Sequence, residues 1–376
     1  MKVLIVTTTG ATGMVLTVAE RVKKDFGDID IVCQWLPRAE TWLLALLAVR
    51  WPKHRWWRRW MQLREKVPYA FKRRTRRVAR QVASRLDDCD FVMMFGALHD
   101  LGVETDKPVF ALCDSTRALS MRNEFDEACH FDSERQRREW LSLEAGVYRR
   151  ATKIFVGAER VAHSLRMDYG IADDKVVVTG FGANFDANAA LGKDFSQKHV
   201  LFVGKGDFIK KGGEDLLKAF RIVRETCPDA VLHVVGQDKV KSRPRDNIIS
   251  YGFVSDKAKL NGLMAQASVF VLPSYVDRNP ISVIEAMSTG TACIVSGYGA
   301  MPEMVGDTGL VVPCGDDEAL ATSMLKFLED PAYARQMGER ARLFYIRHYT
   351  WDRIWERMRG EIERALQMWR QKNGAG

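Results

Sequence analysis

Short, nearly unbroken apolar runs recur along this chain, each followed by a stretch in which apolar positions return every three or four residues. In the first half the runs predict strands at 2–7, 29–33, 90–95, 107–112, 153–157 and 175–180. The periodic stretches between them predict helices over 12–24, 71–86, 133–150 and 159–169. A second series predicts strands at 199–204, 230–235, 247–251, 267–272, 292–295 and 309–312. Helices fit at 213–226, 256–265, 281–289, 316–329 and 332–347, and an amphipathic stretch closes the chain at 351–369. Strands alternating with helices imply parallel sheets covered on both faces. Ala187 to Lys198, small, polar and containing Gly192, reads as a linker. The fold class that follows is α/β, with two Rossmann-like, doubly wound parallel-sheet domains facing a cleft. Such sheets bind ligands at the carboxyl ends of their strands. No internal repeat or low-complexity tract interrupts the pattern.

Length agrees with two domains, since 376 residues divide into pieces of roughly 150–200. Seven cysteines (Cys33, Cys89, Cys113, Cys129, Cys227, Cys293, Cys314) are scattered without paired spacing. That argues for reduced thiols and a cytoplasmic home, and against a disulfide framework or a zinc site. The seven histidines show no ligand spacing either. Met1-Lys2-Val3-Leu4-Ile5-Val6 reads as a first strand and not as a signal peptide. The net charge of +9 is concentrated: thirteen lysines and arginines lie between Arg50 and Arg80 against Glu65 alone, and the rest of the chain is slightly acidic.

The densest chemistry lies at Asp277-Arg278-Asn279-Pro280-Ile281-Ser282-Val283-Ile284-Glu285, after the buried-strand pattern 267–272 and before Gly290. It reads as strand, loop, then a helix opening near Pro280, with one carboxylate in the loop and a second one turn into the helix. A helix start offers free N–H groups and a partial positive charge. A diphosphate on that terminus and sugar hydroxyls on a carboxylate would suit a nucleotide. Earlier, Gly204-Lys205-Gly206-Asp207-Phe208-Ile209-Lys210-Lys211-Gly212-Gly213 sets three lysines in a glycine-bearing loop between a strand and a helix. Ammonium groups there face the same kind of anion.

Together these motifs resemble the retaining GT-B glycosyltransferases of the family 4 type (glycosyl transferases group 1). Asp277 to Gly290 is similar to the family's E-x7-E element, with Asp277 in place of the first glutamate. Lys205 and Lys211 stand at the Arg and Lys positions of its G-R-x(n)-K-G element, which holds the donor diphosphate; Lys210 is a rival for the second. Lysine lacks the forked contact of arginine, and Pro280 lacks an N–H. Ser296 to Val305 and Thr308 to Pro313 resemble the family's G-G-x-P-E and glycine-hydrophobic elements. Gly180 to Asp186 is similar to its asparagine-glycine-valine-aspartate loop, with Asp186 the one identity. Gly13, closing Thr7-Thr8-Thr9-Gly10-Ala11-Thr12-Gly13, matches a glycine-rich loop after the first strand. Asp114, in Cys113-Asp114-Ser115-Thr116-Arg117, stands where many members carry a histidine that contacts the transferred sugar.

The resemblance implies a hexosyltransferase-type enzyme. It would move a sugar from a nucleotide-diphosphate donor to a glycan or lipid-linked acceptor, with retention, in cell-envelope polysaccharide or glycolipid synthesis. It implies Asp114, Asp277 and Lys211 as catalytic residues, and Gly13, Lys205, Lys211, Asn279, Pro280, Ile281 and Glu285 as donor-binding residues, with no metal and no cofactor. Its domains would be 1–186 on the acceptor side with a basic insert at about 42–80, a linker at 187–198, a nucleotide-sugar domain at 199–350, and 351–376 crossing back to the first domain. In the insert Trp51, Trp56, Trp57 and Trp60 interleave with arginines, the composition of an interfacial anchor on anionic lipid. Peripheral membrane contact there, at the inner face of the cell membrane, leads over a structural helix face, and nucleic acid is not the expected partner. An epimerase of the same fold and a non-catalytic membrane-associated protein remain the alternatives.

Overall fold

The computed structural model describes residues 1–7, 13–33, 56, 60, 67–126, 131–184, 193–236, 240 and 243–374. Most of the tryptophan-arginine insert, residues 8–12, Asp186 and the linker at 187–192 lie outside the described residues. The chain divides into two compact units, Met1–Thr179 with Trp355–Gly376, and Gly180–Ile354.

The first unit is built on a parallel sheet in the order β2-β1-β3-β4-β5-β6. Its strands are β1 (Lys2–Thr7), β2 (Asp28–Cys33), β3 (Phe91–Phe95), β4 (Val109–Cys113), β5 (Lys153–Val156) and β6 (Val176–Val178). β1 takes β2 on one side and β3 on the other, pairing Ile5 with both Ile31 and Met93. The fully buried β3 and β4 lack any in–out alternation because helices cover both faces. These helices are α1 (Met14–Phe26), α2 (Pro68–Val82), α3 (Arg117–Met121), α4 (Glu134–Arg150) and α5 (Glu159–Tyr169). α2 starts three residues before the expected 71, because Pro68 occupies a first-turn position and Pro68, Ala70 and Phe71 are all buried. Its apolar stripe meets the core through Phe71, Val78 and Val82, and Arg74 is the buried exception, its Nε donating to Leu98 O at 2.8 Å.

The second unit repeats the architecture in the order β12-β11-β10-β7-β8-β9. Its strands are β7 (His199–Val203), β8 (Val231–Val235), β9 (Ile248–Gly252), β10 (Val269–Leu272), β11 (Ala292–Ser296) and β12 (Gly309–Val312). The helices are α6 (Gly213–Thr226), α7 (Lys257–Gln266), α8 (Ile281–Ser288), α9 (Met301–Val305), α10 (Asp317–Leu328) and α11 (Pro331–His348). The chain winds outward from β7 through β8 to β9, then returns to β10 on the other side of β7 and winds out to β12. The order therefore reverses between β7 and β10, whose Phe270 and Leu201 pair directly. Loops leaving two such strands diverge and open a crevice at their carboxyl ends.

The closing helix α12 (Trp351–Lys372) belongs to the first unit from Trp355 onward. Trp355 packs edge-on against Phe26 with centroids 6.2 Å apart, and its Nε1 donates to Asp25 Oδ2 at 2.6 Å. Lys153 pairs with Glu361 at 3.2 Å, and Trp369 Nε1 donates to Asp106 O at 2.6 Å. One apolar stripe (Ile354, Met358, Ile362, Ala365, Leu366) is buried, the pattern of a helix seated on a core.

A candidate donor site at the strand reversal of the second unit

Five of the sequence-predicted residues (Lys205, Lys211, Asp277, Asn279 and Pro280) fall in the two loops at this reversal, and Ile281 and Glu285 follow in the first turns of α8. After β7 the chain turns through Gly204, Lys205 and Gly206, and Asp207 Oδ1 accepts from the N–H of Ile209 and Lys210 at 3.1 and 3.2 Å. Lys211 and Gly212 then lead into α6. Gly212 has φ +74°, and a Cβ built on it would lie 2.1 Å from Pro273 O. Only glycine permits both that conformation and that approach. The loop after β7 thus rests directly on the start of the loop after β10, where the Tyr275 N–H also donates to Lys210 O at 2.9 Å.

The second loop, Pro273 to Pro280, is pinned along its length. Ser274 Oγ accepts from the N–H of Val276 and Asp277 at 3.4 and 3.2 Å, and Ser296 Oγ donates to Ser274 O at 2.6 Å. Tyr275 OH donates to Asp215 Oδ2 at 2.5 Å, tying the loop to the first turn of α6; burial and this carboxylate push the phenol pKa up. Gly299 (φ +69°) passes over Asp277, its ideal Cβ 2.2 Å from Asp277 O, and the Ala300 N–H donates to Arg278 O at 3.1 Å. The glycine elements noted at 296–300 and at 212–213 are therefore packing requirements of these loops.

On this frame Lys211 Nζ forms an ion pair with Asp277 Oδ2, with 16% and 20% of the two side chains exposed. Lys205 is exposed and turns to the ring of Phe253, its Nζ 5.5 Å from the centroid. Pro280 caps α8 with no side-chain hydrogen bond. The N–H groups of Ile281 and Ser282 have no acceptor among the described residues, so the helix start presents free donors. Asn279 precedes them in the same turn, half-buried.

Glu285 lies one turn into α8, 4% exposed. Its Oε1 accepts from Asn184 Nδ2 at 3.0 Å and from the Asn184 N–H at 3.4 Å, while Lys257 Nζ donates to Asn184 O at 3.1 Å. Burial pushes the Glu285 carboxyl pKa up, and the Asn184 hydrogen bonds pull it back. Asn184 is the residue that sequence reasoning passed over. The family pattern over Gly180 to Asp186 marks Asp186 as its identity, and no local signal in the sequence marks Asn184. Its neighbour Ala183 is held too, Trp351 Nε1 donating to Ala183 O at 2.7 Å.

Two predicted residues belong to the first unit. Gly13 is the N-cap of α1, with φ +46°. Asp114 is exposed at the carboxyl end of β4, on a turn held from beneath. Glu144, 4% exposed, accepts from the Arg117 N–H at 3.1 Å, Tyr148 OH at 2.9 Å and Tyr169 OH at 2.5 Å, and Tyr169 OH accepts from the Ala118 N–H at 3.1 Å. Thr116 caps α3 by accepting from the Leu119 N–H at 3.2 Å. The donors at the start of α3 are therefore satisfied by protein, and Asp114 is what the turn presents to solvent. Among the described residues, no group of three or more His, Cys, Asp or Glu side chains could hold a metal ion.

Comparison with known proteins places the family match within the second unit. Residues 185–344 match the family model for glycosyl transferases group 1. The glycogen synthase of Mycobacterium tuberculosis is 28% identical over 195 residues, 49% of this chain and 47% of that protein. The phosphatidyl-myo-inositol mannosyltransferase of Mycobacterium leprae is 31% identical over 164 residues, 41% of this chain and 43% of that protein. The chain thus spans about half the length of the curated relatives it matches. Among solved structures, HepE of Anabaena in complex with UDP superposes with a TM-score of 0.67 at 16% identity, covering 96% of this chain and all of that one. The protein has the two-domain GT-B fold, and its residues 185–344 form a glycosyl transferases group 1 domain.

Proposed function

We propose that the protein transfers a sugar from a nucleotide-diphosphate donor to a glycan or lipid-linked acceptor. The observation that carries this reading is the arrangement at the strand reversal: Lys211, the open N–H groups of Ile281 and Ser282, and the buried Glu285, all inside the family-matched segment. Lys211, with Lys205, neutralises the diphosphate and stabilises the charge that develops on it as the glycosidic bond breaks. Preorganised charge of this kind is worth about 3–4 kcal/mol per group removed. Glu285 receives ribose hydroxyls, and Asp277 lies toward the transferred sugar. In the first unit the candidates are Asp114 and Gly13. Retention and independence of metal complete the reading on the family resemblance alone.

By their names the relatives above make glycogen and mannosylate phosphatidyl-myo-inositol, which supports a glycan or lipid-linked acceptor in polysaccharide or glycolipid synthesis. The described part of the basic segment adds to the lipid side. α2 exposes Lys72, Arg76 and Arg80 together with Tyr69, 63% exposed, on the face opposite its buried stripe. Each cation held near an anionic leaflet contributes about 1 kcal/mol. No helix among the described residues is long and apolar enough to cross a membrane. Peripheral attachment at the inner face of the cell membrane is the localisation we assign. Co-sedimentation with vesicles of 30% phosphatidylserine should be lost in an Arg76→Glu, Arg80→Glu variant; retention of binding would refute the attachment.

The transfer reading is tested by mass spectrometry of incubations with UDP-glucose, UDP-N-acetylglucosamine, GDP-mannose and ADP-glucose, supplied with glycan and lipid acceptors. A glycosylated product that Lys211→Ala fails to form supports it. Conversion of donor to its epimer without acceptor, or undiminished transfer by Lys211→Ala, overturns it.

A further inference from the structure

Lys211 and Asp277 neutralise each other in the ligand-free protein, and neither backbone has room to withdraw. Gly212, next to Lys211, is wedged against Pro273, while the Asp277 N–H is held by Ser274 Oγ at 3.2 Å and its carbonyl lies under Gly299. Only the side chains can part. A diphosphate that reaches Lys211 competes with Asp277 for the ammonium and sets its two phosphates beside a carboxylate that is 20% exposed. Such a charge is tolerated where something donates to it and is costly where nothing does. A nucleotide sugar brings hydroxyl donors attached to the second phosphate. A nucleoside diphosphate brings a further negative charge and no donor at that end.

We infer that Asp277 discriminates between donor and leaving group: it accepts hydrogen bonds from the sugar of a bound nucleotide sugar and repels the nucleoside diphosphate once the sugar has gone. The inference rests on the donor-site reading above and adds to it a direction. The same carboxylate that competes for Lys211 when a nucleotide sugar binds lies unanswered beside the bare diphosphate once the sugar has gone, and so drives it out. Lys205, turned toward Phe253, does not share this pairing, so the opposition falls on Lys211.

The test is calorimetric titration of UDP, GDP and ADP and of UDP-glucose, GDP-mannose and ADP-glucose into the wild type, Asp277→Asn, Asp277→Ala and Lys211→Ala. For the base that the wild type binds, removing the carboxylate should tighten the nucleoside diphosphate about tenfold, equivalent to about 1.4 kcal/mol. The nucleotide sugar should gain nothing or lose affinity, so the wild type's preference for it narrows or inverts in both Asp277 variants. If Lys211→Ala loses binding while both Asp277 variants hold the diphosphate no more tightly than the wild type, the inference is overturned and the donor site stands. If Lys211→Ala binds every nucleotide as the wild type does, or the wild type binds none, the donor-site reading itself falls and the inference with it.

Discussion

Glu285→Gln separates two jobs that the buried carboxylate is positioned to do. In the ligand-free protein Oε1 accepts from the side chain and backbone of Asn184 at 3.0 and 3.4 Å. Glutamine keeps one carbonyl oxygen in the same volume, so those bonds persist in neutral form and the fold should lose about 1 kcal/mol, the margin between charge-assisted and neutral hydrogen bonds. A ribose makes a harsher demand. Its hydroxyls need acceptors, Asn184 already occupies one oxygen, and the glutamine amide offers N–H groups in place of the other. Losing charge-assisted bonds to the ribose should therefore cost about 2–3 kcal/mol of binding, roughly a 30- to 150-fold rise in Kd. Isothermal titration of Glu285→Gln with the nucleoside diphosphate that the wild type binds most tightly measures this, beside a calorimetric melt of the same samples. A Kd within threefold of wild type would refute the assignment and leave Glu285 with only the holding of Asn184.

Gly212→Ala should destabilise the second unit by more than 2 kcal/mol, since a left-handed φ costs about 1–2 kcal/mol and the added methyl meets the Pro273 carbonyl. Gly206→Ala, also at positive φ but with nothing within 4 Å of the new carbon, is the control; equal melting temperatures would refute the wedge. On pH, burial holds His99 and His233 neutral with pKa values lowered to about 4, and His199, its ring 4.9 Å away, adds to the effect on His233. Because the unfolded chain binds protons from about pH 6.5 downward, their contribution is complete above that pH and is lost as pH falls toward 4. Denaturant midpoints measured from pH 7 to 4 should fall more steeply for wild type than for a His99→Gln, His233→Gln variant; parallel curves would refute it.

Both sheets were legible in the sequence because their strands are covered on two faces, which removes alternation and leaves short apolar runs such as Phe91–Phe95 and Val269–Leu272. Helix ends were less legible, as at Pro68, where burial of the first turn decides the start. Arg117–Met121 and Met301–Val305 are five residues each, too short to show a period; the first forms under its Thr116 cap, and the second has no side-chain cap but carries Pro302 in its first turn and buries Met301, Met304 and Val305. Strand order leaves no trace in hydrophobicity, so the reversal between β7 and β10 came from the structure. In the site, residue types and spacing were enough to single out Lys211, Asp277 and Glu285. Their partners were not: Asn184 reaches Glu285 across 101 positions of sequence, and Lys205 leans on Phe253. Contacts of that range depend on the folded path and not on any local pattern.

The interlocking of the loops at the strand reversal bears on how such a site can be altered. Gly212 fits under Pro273, Gly299 fits over Asp277, and the ideal Cβ of Gly315 comes 2.8 Å from the Tyr275 hydroxyl that reaches Asp215. Each loop is thus the mould for the next, and none can change length or curvature alone. A graft meant to give this scaffold a new donor would have to move the segments around 204–213, 273–280, 296–300 and 314–315 as one block, whereas a single exchanged loop would fail in folding before its chemistry could be assayed.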